Sequence, residues 1–179
     1  MTDTERLEIL RVLQEGADAL TSALSGVDET LASRRPGLEN WSVLECVEHL
    51  TLTEAALLSR LRDAAPCPES HEDRAREAKF QQLALDRLRR IEAPEPVVPK
   101  RDSHDLSQAV KDFNAIRGET VRFVEEFPGE LRWWLTTHPL IKRPVNCYEM
   151  LLLLALHPKR HALQIELTME MMRHEKGSS

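Results

Sequence analysis

The sequence predicts an all-α fold: a four-helix bundle with a long crossover between its second and third principal helices. Three observations carry that prediction. Hydrophobic residues make up 41% and charged residues 30% of a 179-residue chain in which aromatics are only 4%, the balance of amphipathic helices rather than of a sandwich or barrel. Apolar residues recur at steps of three and four through most of the chain, the period of helices packed on one side. A proline-rich stretch, APEPVVPK at residues 93–100, breaks that periodicity near the middle. The chain is long enough to bury a core, and residues 1–179 are expected to form one domain.

The first helix is expected over residues 4–25, where Leu7, Leu10, Leu13, Ala17, Leu20 and Leu24 mark one face. Gly26 and the turn Arg35-Pro36-Gly37 separate it from the second. That helix should start at Ser42, because Ser42 followed three residues later by Glu45 is a capping box, and should run to about Ala64, before Pro66 and Pro68. Residues 71–92 are strongly charged, yet Phe80, Leu83, Leu85, Leu88 and Ile91 suggest a helical piece with one narrow apolar edge and a solvated charged face. Residues 93–100 read as an extended, non-helical crossover.

A third principal helix begins near Ser103 and carries Leu106, Val110, Phe113, Ile116, Val121 and Val124. Gly118 lies inside it, at about 1 kcal/mol relative to alanine, and Pro128-Gly129 closes it. Residues 131–139 read as irregular, and Asn146 followed by Glu149 caps a last helix running to about Met172.

Composition excludes several functions. The net charge is −6, with acids and bases interspersed, so no basic footprint for nucleic acid exists. The longest apolar run, Met150 to Leu156, is too short to span a bilayer, and MTDTERLEILRVL does not read as a secretory signal. Three cysteines, Cys46, Cys67 and Cys147, show no CxxC spacing, which fits a reducing compartment and a cytoplasmic location.

Chemistry concentrates in two segments. In HPKRHALQIE, His157 and His161 stand four residues apart and would project from one helix face, able to converge on a single ion. Seven histidines would give roughly 0.2 such pairs by chance, so the spacing needs support. His49, in WSVLECVEHL, supplies it from the apolar middle of the second helix. Buried imidazoles need partners, and one cation would engage all three. Pro158 rules out HExxH, and Cys46 and Leu154, three residues before His49 and His157, rule out the Glu-x-x-His pairs of di-iron bundles. Pro158 also removes one helical hydrogen bond and predicts a bend beside the site.

Three further residues could serve the cluster. Glu45, one turn before His49, either caps its helix or orients the His49 ring; Gln164 lies one turn past His161; His138 could reach the site mouth. Trp41, Trp133 and Trp134 read as packing or dimer contacts.

The joint occurrence of W-S-x-x-E-x-x-x-H and H-x-x-x-H-x-x-Q-I, with His138-Pro139 ahead of the last helix, resembles the DinB/YfiT-like family, in its broad DinB-like subgroup. The resemblance spans nearly the whole chain. It implies a four-helix bundle in which His49, His157 and His161 bind a divalent metal, zinc or nickel first, iron or manganese as alternatives. It also implies activities such as those of the family's thiol S-transferases and maleylpyruvate isomerase, which use low-molecular-weight thiols such as bacillithiol or mycothiol. The sequence departs from that pattern at Pro158 and at Ile141-Lys142-Arg143, where relatives often place a glycine turn.

The expected function is therefore that of a metal-dependent enzyme, a thiol transferase or hydrolase, with a small-molecule substrate. The alternative is a non-catalytic metal-binding module, a homodimer serving a stress response or binding role. Three visible ligands lean towards catalysis, since structural zinc usually has four.

Overall fold

The computed structural model describes residues 3–69, 73–85, 91–102 and 105–177. The principal helices are α1 (Asp3–Ala23), α3 (Val43–Arg62), α5 (Leu106–Glu126) and α6 (Cys147–Gly177); two shorter ones, α2 (Glu29–Ser33) and α4 (Arg74–Leu85), lie in the connections. A small antiparallel sheet, β1 (Ala65–Pro66), β2 (Trp134–His138) and β3 (Ile141–Asn146), closes one end, with β2 central. Around the bundle α1 packs on α6, α6 on α3, α3 on α5 and α5 on α1. The crossover from α3 to α5 passes through β1, α4 and a 3-10 turn at Glu95–Val97. No helix among the described residues is long and apolar enough to cross a membrane.

The caps explain the helix boundaries. Ser42 Oγ accepts from the Glu45 N–H at 3.2 Å while Glu45 Oε2 accepts from the Ser42 N–H at 2.9 Å, the reciprocal box the sequence predicts. Asn146 and Glu149 repeat it at the start of α6, at 2.8 and 3.0 Å. Asp105, whose Oδ1 accepts from the Gln108 N–H at 2.7 Å, caps α5; Ser103, the expected start, lies outside the described residues.

Other expectations are corrected. Residues 131–138 are a 3-10 turn and a β-strand, not irregular chain; Ile141-Lys142-Arg143, where relatives often place a glycine turn, opens β3. Alternation there is weak and Pro144 interrupts it, so the hairpin depends on pairing, Leu135 with Asn146 and Thr136 with Val145, instead of on a sequence period. The crossover contains the turn at Glu95–Val97, opened by Pro96 at an early position where its missing N–H costs nothing.

The charged segment around α4 is solvated at Asp73, Arg74 and Lys79, as expected, but two of its charges turn inward. Glu77 is buried and receives Arg132 through two bonds of 2.9 and 3.0 Å, while Arg76 pairs with the buried Glu149. Phe80 is buried as expected, Ile91 is 48% exposed, and Leu88 lies outside the described residues.

The apolar core is in two parts. One gathers Ile9, Leu13, Leu57, Leu58, Leu61 and Met150 to Leu156 near the sheet; the other gathers Leu20, Val47, Leu50, Phe113, Ile165 and Met169 at the opposite end. Small and polar residues interrupt this apolar packing as a polar belt: Gly16 on α1 against Ala155 of α6, Glu54 on α3 with Arg117 and Thr120 on α5, and His49 on α3 with His157 and His161 on α6. A Cβ on Gly16 would stand 2.4 Å from the Ala155 carbonyl oxygen. Only glycine lets α1 approach α6 this closely, one turn before Pro158, which α6 carries inside it without terminating.

Candidate metal centre

His49, His157 and His161 meet in the polar belt. One nitrogen of each lies within 4.8 Å of the others, and no other such group of histidine, cysteine or carboxylate residues exists among the described residues. Ring centroids are 5.1 Å apart for His49 and His157, 4.9 Å for His49 and His161, and 4.6 Å for His157 and His161. His157 Nε2 and His161 Nε2 are 3.0 Å apart. The α-helical repeat accounts for the last pair, because residues four apart stack one turn above another on α6; the packing of α3 on α6 brings in His49.

The His49 ring is fixed from behind. Its Nδ1–H donates to the Val97 carbonyl at 2.7 Å, and since a carbonyl only accepts, Nδ1 carries the proton and Nε2 keeps a lone pair. This backing carbonyl comes from the 3-10 turn of the crossover, which is itself anchored. Glu48, beside His49 in sequence, accepts the backbone N–H groups of Lys100, Arg101 and Asp102 at 2.9, 3.2 and 3.4 Å. Arg101 has a φ of 63°, a left-handed conformation unusual outside glycine, and its Nε donates to Glu45 at 2.9 Å.

Electrostatics keep His49 and His157 neutral. Burial lowers the His49 pKa, only partly opposed by the bond to Val97. Burial likewise pushes His157 well below the ordinary range, helped by the charges of His49, Arg160, Arg117 and His138. Neutral imidazole is the form that ligates metal. Nitrogens sharing an ion at about 2.1 Å each stand no more than about 4.2 Å apart, so small ring rotations would close the cluster onto one. Three imidazoles, two of them held neutral and one of those with its tautomer set, fit a borderline divalent cation.

The remaining sequence candidates divide. Glu45 is buried in its capping box and also pairs with Arg35 and Arg101; burial would raise its pKa, but those partners hold it at about 2. It anchors the crossover and does not orient His49, which Val97 does instead. His138 lies on β2, where its Nδ1 accepts from the Leu140 N–H at 3.2 Å; burial and Arg60 lower its pKa to about 4. It influences His157 through charge without joining the ligand group. Gln164 sits half-buried on α6, outside that group. Trp41 packs, as expected of it, but on the cluster itself: its ring is 4.7 Å from His49 and stacked at 6.3 Å over His161. Trp134 packs against Phe127, and Trp133 is 42% exposed.

Sequence reasoning missed Val97, Glu48 and Arg117. A backbone acceptor has no sequence signal; a buried glutamate on α3 did, since Glu48 interrupts an apolar run just before His49.

With the bundle and the histidine cluster in place, relatives become informative. Residues 13–165 match the DinB superfamily. The chain belongs to that superfamily. An uncharacterised protein of Bacillus subtilis, YuaE, is 24% identical over 147 residues, spanning 80% of this chain and 86% of its own length. Among solved structures, YfiT from Bacillus subtilis, described as a probable metal-dependent hydrolase with an unusual four-helix bundle topology, superposes with a TM-score of 0.58 at 15% identity. The match covers 98% of this chain and 90% of YfiT. At that identity the likeness establishes the shared fold.

Proposed function

We propose that this member of the DinB superfamily is a divalent-metal-dependent enzyme whose ion is held by His49, His157 and His161, and that it transfers a group to or from a low-molecular-weight thiol. The observation that carries the reading is the composition of the cluster: three imidazoles, with no carboxylate or cysteine among the described residues grouped with them to complete a closed four-ligand site. When bound, a divalent cation would supply Lewis acidity, lowering the pKa of the thiol or water that takes its open position. The protein's own part is positional. Val97 holds the His49 tautomer, Trp41 covers two of the rings, and burial keeps His49 and His157 unprotonated. Zinc and nickel suit such a donor set best, with iron and manganese as alternatives. YfiT, described as a probable metal-dependent hydrolase, supports metal dependence and makes water the competing nucleophile.

Metal analysis of the purified protein beside His49→Ala and His157→Ala is the first test. Near-stoichiometric metal in the wild type alone is expected; equal metal in all three would overturn the site. Incubating metal-loaded protein with small thiols plus electrophiles, and separately with esters and amides, then identifies the nucleophile. Metal-dependent conjugation supports thiol transfer, ester or amide cleavage without it assigns hydrolysis, and silence on both panels favours a non-catalytic module.

A further inference from the structure

Along α3, Glu45, Glu48 and His49 are spaced by three and four residues and so share one face. The crossover, residues 93–102, is tied to all three. Arg101 Nε donates to Glu45 at 2.9 Å, the N–H groups of Lys100, Arg101 and Asp102 converge on the buried Glu48 carboxylate, and the Val97 carbonyl accepts from His49 Nδ1. Consecutive N–H groups converge on one acceptor where the backbone passes through a left-handed residue, and Arg101 supplies it with its φ of 63°. That conformation is unfavourable for a residue with a Cβ, and three bonds to one buried carboxylate hold it in place.

A stiff link joins this clamp to the carbonyl behind His49. Between the Val97 carbonyl and the Lys100 N–H stand only Val98 and Pro99. The Pro99 ring fixes its own φ and confines the residue before it to extended geometry, which Val98 adopts at φ −70° and ψ 130°. With so little torsional freedom between them, fixing the N–H groups of residues 100–102 fixes where the carbonyl of Val97 points. That carbonyl sets which His49 nitrogen carries the proton and leaves the lone pair on Nε2 for the cluster with His157 and His161.

We propose that Glu48 is a positioning residue of the histidine centre: by clamping the N–H groups of Lys100, Arg101 and Asp102 it holds, through Val98 and Pro99, the Val97 carbonyl that keeps the His49 ring in its Nδ1–H form. The consequence for metal affinity rests on the metal-binding reading of the cluster; the hold on the ring does not. A glutamate that only anchored the crossover would contribute to stability and leave the ring as it is.

The test follows ring and metal separately, on the full chain at about pH 8, above the ordinary histidine range. In metal-stripped, isotopically labelled protein the imidazole nitrogen shifts of His49 should show one tautomer, with the proton on Nδ1. In Glu48→Leu a second tautomer should appear, and zinc affinity, measured by competition with a chromogenic chelator, should fall about tenfold. Pro99→Gly leaves the carboxylate in place but loosens the link, and should change tautomer and affinity in the same direction. Glu48→Gln, which keeps one accepting oxygen, should recover part of both. Arg132→Leu is the control for lost stability, expected to leave ring and affinity as in the wild type. A single Nδ1–H tautomer with wild-type zinc affinity in Glu48→Leu and Pro99→Gly, however far their melting temperatures fall, would overturn the proposal, as would an Nε2–H ring in the wild type or equal losses in Arg132→Leu. Where Glu48→Leu does not fold, Pro99→Gly and Glu48→Gln decide by the same readings. Wild-type protein that takes up no zinc overturns the metal reading alone, because the tautomer populations still decide the hold on the ring.

Discussion

Arg132 and Arg117 are both buried, at 4% and 6% exposure, and differ in how completely they are paired. Arg132 holds Glu77 through Nε and Nη2, reaches Glu5 through Nη1, and lies 3.7 Å from the centroid of the Tyr148 ring. Arg117 has one carboxylate, Glu54, and two idle nitrogens. Burial is the largest influence on the Arg117–Glu54 pair, lowering the arginine pKa and raising that of the glutamate, so the protein under-compensates these charges. A charge network that is complete ties elements together; one left incomplete inside a bundle is held at an energetic cost. The complete network joins α1, α4 and the turn before β2, whereas the incomplete one lies in the belt that also holds the histidines.

Breaking the complete network should have the largest effect on stability. Arg132→Leu leaves the buried Glu77 with the exposed Arg74, at 3.3 Å, in place of its buried cation and should cost about 3–5 kcal/mol in denaturant unfolding, while the fraction that stays folded keeps the metal content of the wild type. A different outcome, metal lost in step with Arg132, would merge the two regions that the pairing pattern separates.

The histidine belt should instead respond to pH. His138 falls to about 4 in the folded state from 6.5, and His49 and His157 shift the same way. Between those values the unfolded chain binds more protons, so stability is complete above about pH 6.5 and is lost as pH falls towards 4. The slope is at most about 1.4 kcal/mol per pH unit for each histidine. Denaturant melts of metal-stripped protein across that range measure it; a flat profile would mean the rings titrate alike in the folded and unfolded chain.

Two glycines sharpen the picture at smaller scale. Gly16→Ala forces a methyl against the Ala155 carbonyl and should destabilise by about 1–3 kcal/mol, and it should weaken metal affinity because α6 must shift near His157. Gly118→Ala, with nothing within 4 Å of the added carbon, should stabilise by about 0.5–1 kcal/mol and leave metal uptake unaltered. Unfolding midpoints and metal titrations of both variants separate the effects.

Much of this molecule is legible locally. Helical periodicity placed four principal helices, and the boxes at Ser42 and Asn146 placed two of their starts, because capping is a contact between residues three apart. His157 and His161 were paired by the pitch of one helix. Where a contact spans the chain, no such signal exists: the β2–β3 hairpin lacks a clean alternation, and Glu77 and Arg76 looked like solvated charge until Arg132 and Glu149, 55 and 73 residues away, supplied their partners.

The sequence by itself determined the bundle, its caps and the three imidazoles that could meet. Only the tertiary structure decided that they do meet, that the Val97 carbonyl and not Glu45 orients His49, and that Arg117 is buried with two nitrogens unpaired. The physical reason is range. Helix formation and capping are settled within a few residues, whereas which buried polar group finds a partner depends on four helices packing together, and that is known only once they have.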